Sequence, residues 1–182
     1  MPIRCRQTLT ALLLIFAVTA SSQSRQVGQP SAKKFTKAEL IAAAREIIAA
    51  ARYCSLITIN AAGRPQARTL DPFPPDEQMT IWLGTNLRSS KVKEIRRNPH
   101  VVLYYFDRDA QAYVSISGRA RIVNDAKLKL KWWKDEWRDF YPDRARNYVL
   151  IRIKPERMEI VSVKRRIIGE DKSWTPPSVL FK

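Results

Sequence analysis

Met79-Thr80-Ile81-Trp82-Leu83-Gly84-Thr85, then Asn86-Leu87-Arg88-Ser89-Ser90-Lys91, then Val92 to Pro99 and the run Val101 to Phe106: this stretch decides how the chain folds. The first piece is rich in large apolar residues and reads as a strand. Val92 and Ile95 share one face of a short amphipathic helix over Ser89 to Arg97, which Asn98-Pro99 stops. Val101 to Phe106 is again strand-like. The loop between first strand and helix carries two hydroxyls, an amide and two cations. Arg88, Lys91 and Lys93 all precede the helix's first acid, Glu94. Cations in a first turn oppose the helix dipole, which favours anions there. An anion bound at that terminus removes the conflict, because free backbone N–H groups and the cations then point at it together. The residues alone leave two readings, a phosphate held by Ser89, Ser90 and Lys91, or a solvated basic turn with Ser89 as its N-cap.

Working outward, Thr36-Lys37-Ala38-Glu39 has capping-box spacing ahead of an Ala/Ile-rich helix that runs to Ala51. Tyr53 to Asn60 and Gln66 to Leu70 are strands around the turn Ala61-Ala62-Gly63-Arg64. Downstream, Tyr113 to Val123 pairs with Val101–Phe106 across a polar turn at Asp107 to Asp109. Asp125 to Tyr141 reads as a Trp-rich helix ended by Pro142, with Trp133, Trp137 and Tyr141 on one face. Two last strands, Tyr148 to Ile153 and Met158 to Val163, meet at Pro155-Glu156. Many short strands with few helices make a mostly-β (α+β) domain, a closed or nearly closed barrel with helices over its ends. The domain spans 36–163, and 164–182 is a basic, Pro-containing tail.

The 182 residues suffice for one domain with a real core. Lys and Arg number 33 against 17 acids, a formal charge of +16 that favours anionic partners without choosing among them. Arg4 and Arg6, the apolar run Ala11 to Ala20 and Ser21-Ser22-Gln23-Ser24 follow the order of a secretory signal peptide over 1–24, with a polar linker over 25–35. Export to the periplasm or medium is the expectation, with a cytoplasmic product if the true start lies later. With export, Cys54 is the single remaining thiol, in an apolar run that buries it. One histidine, His100, and one such cysteine exclude the common zinc and triad sites, and five glycines without a Gly-x-Gly-x-x-Gly or Walker loop exclude glycine-loop nucleotide binding. Nothing marks a specific nucleic-acid site. The Lys164-Arg165-Arg166 run fits loose adhesion to anionic surfaces.

Arg68-Thr69-Leu70, then Thr85 to Lys91, then Asn98-Pro99 before an apolar strand, then Tyr113-Val114-Ser115-Ile116-Ser117-Gly118-Arg119-Ala120, occur in an order that resembles the pyridoxamine 5′-phosphate oxidase-like split-barrel family. Tyr141-Pro142-Asp143 after the Trp-rich segment is similar to its general-stress flavoprotein branch. The resemblance implies a six-stranded split barrel that forms a homodimer and holds FMN at the subunit interface. It implies that Arg68 and Lys91 contact the FMN phosphate, with Ser89 and Ser90 beside them. Thr69, Leu70, Asp71, Thr85 and Asn86 would line the ribityl chain and ring edge, and Tyr113 falls where the oxidases place a flavin-contacting glutamine. Phe73 stands where the oxidases carry a lysine, and the C-terminal segment lacks their Arg-Leu motif, so vitamin-B6 oxidation is not expected. The reading is an FMN-dependent oxidoreductase of unknown substrate, with a non-catalytic flavin-binding stress or storage protein as the alternative. No catalytic acid, base or metal ligand stands out, as befits chemistry carried by a cofactor.

Overall fold

The computed structural model describes residues 34–170 and 172–182, so the expected leader and most of the expected linker lie outside the described residues. Helix α1, Lys37–Ala51, starts at the expected capping box, with Thr36 and Glu39 each accepting from the other's backbone N–H. Its buried residues, Leu40, Ala43, Ala44, Ile47 and Ile48, repeat at helical spacing, and this face packs against the sheet. The strands are β1 Cys54–Ile59, β2 Pro65–Leu70, β3 Ile81–Asn86, β4 His100–Asp107, β5 Ala112–Val123, β6 Tyr148–Ser162 and β7 Ser178–Leu180. All pairings are antiparallel, in the order β2-β1-β4-β5-β6-β3, with β7 added to β6. The two ends of this order meet. Pro72, just past β2, bridges Leu83 of β3, and the Phe73 N–H donates to the Trp82 carbonyl at 2.9 Å. The seven-stranded sheet with few helices is consistent with a split barrel.

Alternation sorts the side chains. Leu56, Leu83, Leu103, Ile116, Ile151 and Met158 point inward and are fully buried. Cys54 joins them, and burial pushes its thiol up to about 12, so it is inert. Helix α2, Ser90–Arg97, turns Val92 and Ile95 into the barrel and packs on β1 and β5.

Three expectations change. The last two strands are one continuous β6, because β6 takes up an extra residue, Glu156, opposite the Ser117–Gly118 step of β5, next to Pro155, which has no N–H to give the ladder. The Trp-rich helix breaks into α3, Ala126–Lys131, and a 3-10 turn over Asp135–Phe140, before α4, Arg144–Asn147. Aromatic packing wins over helix continuity there. Trp132 stacks on Trp82 with centroids 5.5 Å apart, and the Tyr148 hydroxyl donates to the Trp132 carbonyl, taking the place of a helical N–H. Trp133, Trp137 and Tyr141 do gather, all around the Tyr148 ring. The segment 164–182 is not a detached tail. Ile167 and Val179 are buried in the main core, β7 pairs with β6, and Arg165 bonds Glu46 of α1.

Gly118, paired with Pro155 at the register shift, tests how tightly the two strands pass there. A Cβ there would sit 2.2 Å from the Lys154 carbonyl oxygen, backbone that cannot yield cheaply. Gly118→Ala is expected to cost about 2–3 kcal/mol or more, read as a lower urea midpoint with an unchanged slope. An unchanged midpoint would show that the ladder has slack at this point.

Candidate functional site

At the end of β3 the chain turns sharply into α2. The Asn86 side-chain oxygen accepts the Arg88 N–H at 2.9 Å, and its carbonyl accepts the Ser89 N–H at 3.0 Å, so Asn86 shapes this turn. Ser89 takes the N-cap position with extended backbone, yet its side chain makes no capping bond. The first turn of α2 therefore lacks its usual side-chain acceptor. Ser89 Oγ instead lies 3.4 Å from Thr85 Oγ1, and Ser90, the first helical residue, is exposed.

Lys91 completes this group. Its Nζ donates to Thr85 Oγ1 at 3.0 Å, and the threonine is itself buried at the inner face of β3. Partial burial pulls the Lys91 ammonium below its ordinary pKa, and the nearby Arg68 guanidinium pulls it further; Glu94 opposes them. Arg68 reaches inward from β2. It donates to Thr58 Oγ1 at 2.6 Å and to Glu94 at 3.0 Å, while Thr58 donates to the same Glu94 oxygen at 2.5 Å. In this triangle the Arg68 guanidinium already holds a carboxylate. Two cations here share one acid. Glu94 and Thr58 escaped the sequence reading, although Glu94 lies three residues beyond Lys91 and hence on its face of the helix.

Beside this cluster lies a cleft of about 520 Å³. Thr69, Leu70 and Asp71 line one side with Gly84, and Trp137, Phe140 and Tyr141 form the other. The Trp-rich segment thus faces the residues expected to line a ring. Asp71 is not free either, since Lys134 bonds its carboxylate at 2.7 Å and lies over the rings of Phe73 and Trp137. That ion pair ties the aromatic segment to the end of β2. Close packing holds Gly84 in place, because a Cβ there would meet the Trp137 and Tyr148 rings at 2.5 and 2.6 Å. Arg52 and Tyr53, where α1 hands over to β1, also line the cleft. No run of hydroxyls or charges marked them in the sequence.

Tyr113 stands apart from this group within one chain. It points outward from β5, where its ring stacks on Tyr104 with centroids 5.5 Å apart. Burial, Glu159 and Tyr104 together raise its hydroxyl's pKa. Register puts Phe106 and Val161 directly across from it, with Ile57 and Val102 on the same outer face. Tyr104 and Phe106 are 36% and 53% exposed, so this face presents aromatic surface to solvent. Among the described residues, no cluster of His, Cys, Asp or Glu could hold a metal ion.

The main cluster can hold a dianion through one ammonium, two hydroxyls and a helix start, beside a cleft walled by aromatic rings. Comparison with known proteins gives this arrangement a context. General stress protein 26 of Bacillus subtilis (strain 168) is 33% identical over 114 residues, which cover 59% of this chain and 78% of that protein. A solved structure from Clostridium acetobutylicum, described as related to that stress protein and of the pyridoxinephosphate oxidase family, superposes with a TM-score of 0.63. It is 20% identical, and the match covers 81% of this chain and 96% of that one. A pyridoxamine 5′-phosphate oxidase-related, FMN-binding protein from Nostoc punctiforme superposes with a TM-score of 0.57 at 18% identity, covering 82% of this chain and all of that one. The family model described as pyridoxamine 5′-phosphate oxidase matches residues 40–162, which contain every strand and helix that builds the site, and the chain belongs to that family.

Proposed function

We propose that the chain is an FMN-binding flavoprotein that acts as an oxidoreductase, with the cofactor's phosphate at the start of α2 and its ring in the adjoining cleft. The observation that carries this reading is Lys91. A half-buried ammonium with a lowered pKa, next to a second cation, faces a helix start whose cap residue leaves its N–H groups unbonded by a side chain. A phosphate dianion offsets each of these costs at once. The FMN-binding relative of the same fold supports the choice of anion.

In this reading Lys91 supplies the charge, Thr85 fixes its direction, and Ser89 and Ser90 add hydroxyls. Arg68 adds a second positive charge, held at a set distance by Thr58 and Glu94. Thr69, Leu70 and Asp71 support the ring from the β2 side, while Trp137 and Tyr141 exclude water from the other. Bound FMN supplies hydride or electron transfer at its ring; the protein supplies position and access. Vitamin-B6 oxidation does not follow from the family's name. Phe73, at the position where the oxidases carry a lysine, is buried against Trp132 and Trp137.

Tyr113 enters this scheme only if two copies meet. The outer face of β1, β4 and β5, with Ile57, Val102, Tyr104 and Phe106 around it, is the surface we assign to a homodimer that brings each Tyr113 to the other chain's cleft. Phe106→Lys is then expected to yield a monomer in light scattering and to weaken FMN binding together with it. A monomeric wild type would remove Tyr113 from the site.

Lys91→Ala is expected to weaken FMN binding about tenfold or more, since a hydrogen bond to a charged group contributes ~1.5–3 kcal/mol. Its melting temperature should not fall, because the change removes a partly desolvated charge. Arg68→Ala should weaken binding and also lower stability, by leaving Glu94 without its cation; adding Glu94→Gln should restore the stability but not the binding. Calorimetry with FMN and thermal melts read both, and undiminished binding in both single variants contradicts the assignment.

The pH response has a defined sign. Lys91 loses its proton at a lower pH than an ordinary lysine, and only the charged form attracts phosphate. Binding therefore takes up a proton on the alkaline side, and affinity falls with rising pH earlier than model lysine chemistry predicts. In Lys91→Arg the alkaline fall should disappear.

A further inference from the structure

A second cationic cleft lies on the outer face of β5 and β6, and the pairing register creates it. Arg119 stands directly opposite Lys154, and Arg121 directly opposite Arg152. Each strand contributes residues two apart, so all four side chains emerge on one face. They line a single cleft of about 590 Å³, with Phe181 and Glu156 in its wall and Lys182 beside them. Like charges directly opposite on an antiparallel pair destabilise it, and two such pairs in adjacent rows compound the cost.

Little in the fold offsets this. Among the described residues Arg119 approaches the His100 ring alone, at 3.3 Å, and Arg152 lies over Trp82 at 5.9 Å. Arg121 and Lys154 are exposed and make no ion pair or hydrogen bond among the described residues. Glu156 is the one acidic side chain lining the cleft, and its carboxylate lies 3.9 Å from the His100 ring. The extra β6 residue, Glu156, lies at the register shift between Ser117 and Gly118, and that shift sets Arg119 opposite Lys154, so the like-charge rows are a consequence of how β6 passes Pro155.

We propose that this cleft is a binding site for a compact oligophosphate, a ligand of the di- or triphosphate class, separate from the flavin site. The four cationic groups project from a patch about 5 Å by 7 Å, set by the cross-strand and along-strand spacings. A single phosphate can engage only one row at a time, whereas two or three linked phosphates engage both. Arginine forks suit the bidentate contacts such a ligand offers, and the Phe181 ring gives an apolar wall for whatever the phosphates are attached to. Bound there, the ligand removes the repulsion between the rows, so occupancy stabilises the fold.

Tripolyphosphate titrated into the full chain by calorimetry tests this, at low salt and in the presence of saturating FMN. The variant Arg121→Gln/Lys154→Gln removes one cation from each row. It is expected to bind tripolyphosphate at least tenfold more weakly, and to melt about 1–3 °C higher than wild type without ligand, because the repulsion is gone. The control Lys127→Gln/Lys164→Gln makes the same charge change at exposed sites elsewhere and should alter neither. Equal loss in control and variant would mean diffuse attraction to a basic protein, and overturns the proposal. So does displacement of tripolyphosphate by FMN, which would place it at Lys91, or binding of an RNA oligomer through these residues with no binding of tripolyphosphate. Failure of the chain to bind FMN at all leaves this reading intact, since the titration without FMN reads the β5–β6 cleft by the same pair of variants.

Discussion

Two cations share one carboxylate where α2 closes the barrel, and the functional architecture is arranged around that imbalance. Arg68 holds Glu94, with Thr58 bonded to both, which leaves Lys91, among the described residues, with a threonine hydroxyl alone. A half-buried ammonium in that position costs stability unless an anion completes it. The strands fix the arrangement: Thr58 and Arg68 face inward from a paired β1 and β2, and Thr85 ends β3 just before the turn. A protein under pressure only to be stable would do better with one cation fewer. In the proposed function, the surplus charge is what attracts the phosphate.

The aromatic cleft follows from a second constraint, the hub at Tyr148. Its ring gathers Trp133, Trp137 and Tyr141, and its hydroxyl ends α3 at the Trp132 carbonyl. Burial drives the hydroxyl's pKa far upward, so it remains a donor at any physiological pH. The Asp71–Lys134 pair then fixes the aromatic segment against β2. Position in the cleft is thus set by contacts remote in sequence, with Lys134 and Tyr148 acting on residues they do not adjoin.

This division explains what the sequence could reveal. The capping box at Thr36 and Glu39, the strand–loop–helix at Thr85 to Lys91 and the Asn98-Pro99 stop are local signals, and each appears where local rules place it. Continuity of β6 through Pro155 was not legible, because a proline normally ends a central strand and it is the register shift at the adjoining Glu156 that accommodates it. The break after Lys131 was hidden for the same kind of reason, since helical spacing of the tryptophans is equally compatible with the packing that disrupts the helix. Glu94 and Thr58 could not be identified as partners of Arg68 without the fold, because strand register and helix docking bring them together. The basic rows of β5 and β6 likewise exist only once the register is known.

The central claim is that phosphate recognition at Lys91, rather than contact with the ring, carries the affinity for the cofactor. Parallel titrations of the full chain with FMN and with riboflavin, which share the ring and differ by the phosphate, measure this most directly. The account predicts FMN to bind at least about a hundredfold more tightly, with the difference largely lost in Lys91→Ala. Equal affinities for the two in the wild-type protein would contradict it.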